Sequence, residues 1–85
     1  MTHQQLERTE TIRRILAEHG RLNADASAID DGTDLHQAGM TSHASVNVLL
    51  ALEAEFDIEF PDAMLTRAVF SSIAMIRSAV ETLAG

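Results

Sequence analysis

The chain has 85 residues, 46% of them hydrophobic, and its 13 acids against six basic side chains give a formal net charge of −7. A chain this short buries only about 60–65% of its unfolded surface, so it holds a few short helices together but does not wall in a deep, water-excluding pocket, which argues against autonomous catalysis. The hydrophobic share excludes a disordered tail, and the acidic balance excludes the basic footprint that nucleic acids or anionic membranes require.

All six basic side chains are Arg, and between Leu22 and Thr66 nine acids stand against no base. Such a field suits basic patches on protein partners, and it serves solubility equally well. The absence of Cys rules out a disulfide framework and a thiolate metal site. Met1 is followed by polar residues without an apolar signal region, so a cytoplasmic protein is expected. Residues 1–85 read as one domain, expected to be a monomer.

In chain order, Thr2 and Gln5 have capping-box spacing, and Leu6, Ile12, Ile15, Leu16 and His19 follow close to helical period. Gly20 is the expected stop. From Arg21 to Thr41 the period is lost and turn-forming residues dominate, so a long loop is expected, with Ile29 and Leu35 as its pegs into the core. A second helix is expected from Thr41 or Ser42 to about Phe56, ended by Phe60-Pro61 because a residue before proline is pushed out of helical angles. A short helix is expected over Asp62–Arg67. Ser71 or Ser72 then caps a last helix carrying Ile73, Ile76, Val80 and Leu83. The fold class is all-α: a four-helix bundle of three main helices and one short one, with a long first loop.

Leu49, Leu52 and Phe56 are expected to face the core, against Leu16, Ile58, Phe70, Ile73 and Ile76. A second stripe on the same helix, His43, Val46, Leu50 and Ala54, is either covered by other helices or left for a partner.

Few residues offer chemistry. Ser42 and His43 are neighbours, so on a helix they diverge and form no nucleophile–base pair. His3, His19, His36 and His43 lack ligand spacing, and no metal site is expected. Glu53, Glu55, Asp57 and Glu59 read as a solvated acidic run. What remains is Ser42, at a helix start after Gly39-Met40-Thr41. A helix N-terminus offers unpaired N–H groups and partial positive charge, which favour a phosphate, although a serine there commonly serves only as the cap.

Asp34-Leu35, Ala38-Gly39-Met40-Thr41-Ser42, Val46 and the stretch Leu52-Glu53-Ala54-Glu55-Phe56-Asp57-Ile58-Glu59-Phe60-Pro61-Asp62 together resemble the acyl carrier protein family. The last stretch is similar to that family's L-E-x-E-F-D-I-x-I-P-D pattern almost throughout, and Phe70-Ser71-Ser72-Ile73 resembles the entry to its last helix. The resemblance implies that Ser42 takes 4′-phosphopantetheine from coenzyme A through a phosphopantetheinyl transferase. It further implies that the arm's thiol holds acyl or aminoacyl cargo as a thioester and that the protein itself is not an enzyme. Partners implied are that transferase, an acyl- or amino-acid-loading ligase and downstream transferases. The expected partner surface is Thr41, His43, Val46, Asn47, Leu50 and Glu53.

Thr41 and His43 stand where the family usually has Asp and Leu around its serine, and Ala44, Asn47 and Ala54 stand where acids are common. The G-M-T-S-H stretch resembles specialised carriers, including those loaded with amino acids by ligases similar to aminoacyl-tRNA synthetases. The alternative function is an unmodified carrier-like bundle acting only as a protein-interaction module.

Overall fold

A computed structural model describes residues 2–84. It contains α1 (His3–His19), α2 (Ser42–Phe56), a single 3-10 turn (Asp62–Met64) and α3 (Ile73–Ala84), with no strand among the described residues. This is the expected all-α carrier-like bundle with its long first connection. No helix among the described residues is long and apolar enough to cross a membrane.

α1 begins in the expected capping box: the Gln5 amide donates to Thr2 Oγ1 at 3.1 Å, and the Thr2 amide to Gln5 Oε1 at 3.0 Å. At its end, Gly20 stays right-handed (φ −78°) and donates to the Leu16 carbonyl at 2.8 Å. The left-handed step falls on Arg21, with φ +53°. Gly20 is needed there for space: a Cβ would lie 2.8 Å from the Leu16 carbonyl oxygen. Leu6, expected on the buried stripe, is about half exposed at the outer end of α1.

The core draws Ile12, Ile15 and Leu16 from α1, Ala44, Val48 and Leu52 from α2, and Ile73, Ile76, Ala79 and Val80 from α3. The Phe60 and Phe70 rings close one end, 5.6 Å apart. This corrects the expected phase of α2. Leu52 is fully buried as expected, and Leu49 and Phe56 pack against the core but are only half-buried, while the fully buried residues beside Leu52 on the inner face are Ala44 and Val48. These smaller side chains let α2 approach its neighbours, which turns the larger Leu49 and Phe56 onto the flanks.

The stretch from Arg21 to Thr41 forms no helix, as expected, yet it is tightly tied down. Leu35 is a fully buried peg, Ile29 is a partial one, and Ala26 and Met40 are two further pegs. The Arg13 guanidinium reaches from α1 to donate to the Ala26 and Ile29 carbonyls at 2.9 and 2.7 Å and to Asp31 Oδ1 at 2.6 Å. From α3, Arg77 donates to Asp31 Oδ2 at 2.9 Å and to Thr9 Oγ1 at 3.0 Å. Backbone bonds complete the attachment: Leu35 to Ser71 at 2.8 Å and Ala74 to Asp31 at 3.0 Å.

The short helix expected over Asp62–Arg67 shrinks to Asp62–Met64. None of its residues is buried, so no apolar face pays the cost of nucleating further turns. Residues 65–72 continue as turns and bends until Ser72 Oγ accepts the Met75 amide at 3.2 Å and starts α3.

Candidate functional site

The start of α2 separates two tasks between adjacent residues. Thr41 is the N-cap, with extended backbone angles and its Oγ1 accepting the Ala44 amide at 3.1 Å. Ser42 is the first helical residue, is exposed, and its hydroxyl has no hydrogen-bond partner among the described residues. The other serines at helix starts are occupied. Ser45 Oγ donates to the Thr41 carbonyl at 3.0 Å, Ser71 Oγ donates to the Ala68 carbonyl at 2.7 Å, and Ser72 Oγ caps α3. The amides of Ser42 and His43 lie in the first turn, where a helix leaves its N–H groups without internal partners.

The approach to this serine is set by Gly39 and Met40. Gly39 has φ +113°, and a Cβ there would lie 2.9 Å from Asn23 Nδ2. Only glycine tolerates both the turn and the close packing. The buried Met40 then anchors the chain directly before the cap. The serine is therefore held on a fixed backbone while its side chain stays open to solvent.

Beside Ser42 runs a cleft of about 370 Å³, lined by Ser42, Val46 and Leu49 of α2 and by Leu65, Arg67 and Phe70 opposite, with His36 joining them. The His36 ring lies between the walls, Nδ1 3.4 Å from the Met40 carbonyl and Nε2 3.3 Å from the Arg67 carbonyl. Sequence reading missed this far wall. His36, Leu65, Arg67 and Phe70 share no period with Ser42, and only the folded chain brings them together.

The expected partner residues divide into two groups. Thr41, His43, Val46 and Leu50 are exposed, Val46 and Leu50 by 51% and 57%, and Ala54 continues their stripe, so the other helices leave it uncovered. Asn47 and Glu53 are half-buried. Glu53 has a role inside the fold: its Oε2 accepts the Phe60 amide at 2.9 Å, while its carbonyl accepts the Ile58 amide at 3.1 Å behind the left-handed Asp57. Glu55 pairs with Arg14, and this contact, with Glu18 adding to it, raises the arginine pKa further. Of the acidic run, Asp57 and Glu59 are exposed and have no side-chain partner among the described residues.

These residues suit a covalently tethered phosphate. The hydroxyl is free, it sits among helix-start amides, and no carboxylate lines the adjoining cleft.

Comparison with known proteins agrees with this chemistry. Residues 10–79 match the family model for the phosphopantetheine attachment site. The chain is 48% identical over 71 residues to the aminoacyl carrier protein of Agrobacterium fabrum (strain C58 / ATCC 33970), covering 84% of this chain and 86% of that one. Among solved structures, it resembles a chain in the crystal structure of an engineered Bradyrhizobium japonicum glycine:[carrier protein] ligase complexed with carrier protein from Agrobacterium tumefaciens and AMP. That likeness has a TM-score of 0.83 and 46% identity, over 86% of this chain and 97% of the other. A solution structure of an Agrobacterium tumefaciens protein matches with a TM-score of 0.69 and 46% identity, over 87% of this chain and 89% of that one. The chain belongs to the phosphopantetheine-attachment family: it is a carrier protein whose prosthetic group is 4′-phosphopantetheine, not an enzyme.

Proposed function

We propose that Ser42 is the attachment residue and that the protein carries amino acids, loaded by an amino acid:carrier protein ligase. The observation that carries the first part is the division of labour between Thr41 and Ser42: the cap is already supplied, and the serine hydroxyl is left free and exposed. Attachment forms a bond from Ser42 Oγ to the phosphorus that bears the pantetheine of coenzyme A, with loss of the serine proton and departure of adenosine bisphosphate. The arm's terminal thiol supplies the thioester on which the cargo rides. The chain's own residues fix the attachment point, surround it with donors and present a surface to the loading enzyme.

The aminoacyl cargo and the ligase partner are supported by the relatives, one an aminoacyl carrier protein and another found with a glycine:[carrier protein] ligase. The exposed stripe of His43, Val46, Leu50 and Ala54 begins one residue after Ser42 and is our candidate docking face, with Thr41 and Asn47 at its edge. Glu53, engaged with the Phe60 amide, contributes by fixing the end of that helix. In this reading residues 1–85 act as one carrier domain, monomeric and cytoplasmic, meeting a phosphopantetheinyl transferase, the ligase and downstream transferases in turn.

Incubation with coenzyme A and a broad-specificity phosphopantetheinyl transferase, followed by intact-protein mass spectrometry, tests the assignment. The wild type should gain the arm and Ser42→Ala should not. A modified alanine variant would place the arm elsewhere, and an unmodified wild type would favour the interaction-module alternative.

A further inference from the structure

The cargo of a thioester carrier is an acyl donor, and it hangs beside the carrier's own side chains. The side chains that readily take an acyl group from a thioester are the thiolate of Cys and the free amine of Lys. The 85 residues contain neither, and all six basic positions are Arg, whose guanidinium stays protonated and is no nucleophile near neutral pH. Three of these arginines have a reason in the fold. Arg13 donates to the Ala26 and Ile29 carbonyls and to Asp31, Arg77 to Asp31 and Thr9, and Arg14 to Glu18 and Glu55, sets of acceptors that a planar fork spans better than an ammonium. Arg8, Arg21 and Arg67 have no such reason. Their side chains make no hydrogen bond or ion pair among the described residues, so for charge alone Lys would serve there equally well.

The hydroxyls around Ser42 are engaged as well. Thr41 Oγ1 accepts the Ala44 amide, Thr66 Oγ1 accepts the Val69 amide, and Ser45 and Ser71 donate to the Thr41 and Ala68 carbonyls. None is hydrogen-bonded to a base, and an alcohol without one is a weak nucleophile. The His36 ring nitrogens each face a carbonyl, and His43, though exposed, forms an acyl-imidazole that water cleaves, so it does not keep an acyl group. Resting on the reading of this protein as a thioester carrier with its arm on Ser42, we propose that the chain is a chemical non-acceptor for its own cargo. Arg in place of Lys at positions 8, 21 and 67 keeps the thioester intact between partners. A Lys at such a position has roughly 0.4% of its amine free at pH 8. That amine attacks the thioester carbonyl carbon and the C–S bond breaks. The departing arm thiolate takes up the proton that the nitrogen loses, and a stable amide remains. Tethering to the same chain places the thioester at an effective concentration on the order of millimolar, so the small free fraction suffices to divert cargo. Position 67 borders the cleft that Ser42 opens and is the one best placed to react.

The test uses the full chain loaded with acetyl as the probe, by a broad-specificity phosphopantetheinyl transferase acting with acetyl-coenzyme A. Wild type, Arg67→Lys, Arg67→Gln and the triple variant Arg8→Lys, Arg21→Lys, Arg67→Lys are followed at pH 8 by intact-protein mass spectrometry. Hydroxylamine strips acetyl held as thioester and leaves acetyl held as amide, and peptide mapping places the arm and any adduct. The substituted side chains have no partners, so all variants should keep the helical signal of the wild type. Arg67→Lys should lose its thioester at least threefold faster than wild type and gain hydroxylamine-resistant acetyl at position 67, and the triple variant should lose it at least as fast. Arg67→Gln, which removes the charge and adds no nucleophile, should match the wild type. Lys variants that hold their thioester as long as the wild type overturn the proposal and leave the arm on Ser42 intact. A stable acetyl adduct on any wild-type side chain overturns it too, as does transfer to position 67 that slows on dilution, since the cargo then comes from another molecule. An arm found away from Ser42 overturns the reading on which the proposal rests.

Discussion

Thr41 Oγ1 accepts the Ala44 amide at 3.1 Å, and the hydroxyl of Ser42, next in the chain, accepts and donates to nothing among the described residues. Removing a Thr cap costs about 1 kcal/mol. Thr41→Ala should lower the unfolding free energy by that amount, read from a reduced denaturant midpoint, and it should also slow arm attachment, because Ser42 then becomes the nearest oxygen able to cap the helix. Thr41→Asp keeps a capping oxygen and should hold both stability and attachment rate near wild type. An unchanged attachment rate in Thr41→Ala would separate capping from presentation of the serine.

The revised phase of α2 sets a second expectation. Leu52 is fully buried, whereas Phe56 sits half-buried on the flank. Leu52→Ala should cost about 2–5 kcal/mol, the range for emptying a packed aliphatic site, and Phe56→Ala should cost clearly less than Leu52→Ala. Urea unfolding of the two variants side by side measures the difference. A larger loss at Phe56 would return the helix to the phase its leucine spacing suggests.

Asp31 joins three segments: its two carboxylate oxygens take Arg13 of α1 and Arg77 of α3, and its carbonyl takes the Ala74 amide. Asp31→Asn leaves two partly buried guanidinium groups short of an anion, at a cost of about 1.5–3 kcal/mol for hydrogen bonds to charged groups. Amide hydrogen exchange should accelerate first between residues 21 and 40, ahead of the core of α2. Uniform acceleration along the chain would mean that the clamp stabilises the whole bundle and not this connection in particular.

Val46 and Leu50 are exposed by 51% and 57%, so aspartate at either position should leave the helical signal and unfolding midpoint close to wild type. Loading by the cognate ligase should nevertheless be lost in Val46→Asp and Leu50→Asp if partners dock on this stripe. Binding should depend only modestly on salt, since Glu53 and Glu55 are engaged within the protein and Ala44, Asn47 and Ala54 bring no charge. A steep loss of binding with salt, together with harmless substitutions at both positions, would move the docking face to Asp57 and Glu59.

Local physics was legible in the sequence by itself. The capping box at Thr2 and Gln5, the helix start at Thr41–Ser42 and the break at Pro61 each depend on residues within a few positions of one another, where spacing and backbone preference decide, whereas only the fold showed that the stripe of Val46 and Leu50 is uncovered. The resemblance that singled out Ser42 rests on the same kind of local pattern. Tertiary structure alone decided which face of α2 turns inward, because Ala44 and Val48 win that place by fitting their neighbours and not by being the most apolar residues available. It alone decided that Asp31, one acid among nine between Leu22 and Thr66, receives both Arg13 and Arg77. The cleft wall of His36, Leu65, Arg67 and Phe70 likewise exists only once the connection after α2 folds back beside Ser42, a proximity across more than twenty residues that no period in the sequence encodes.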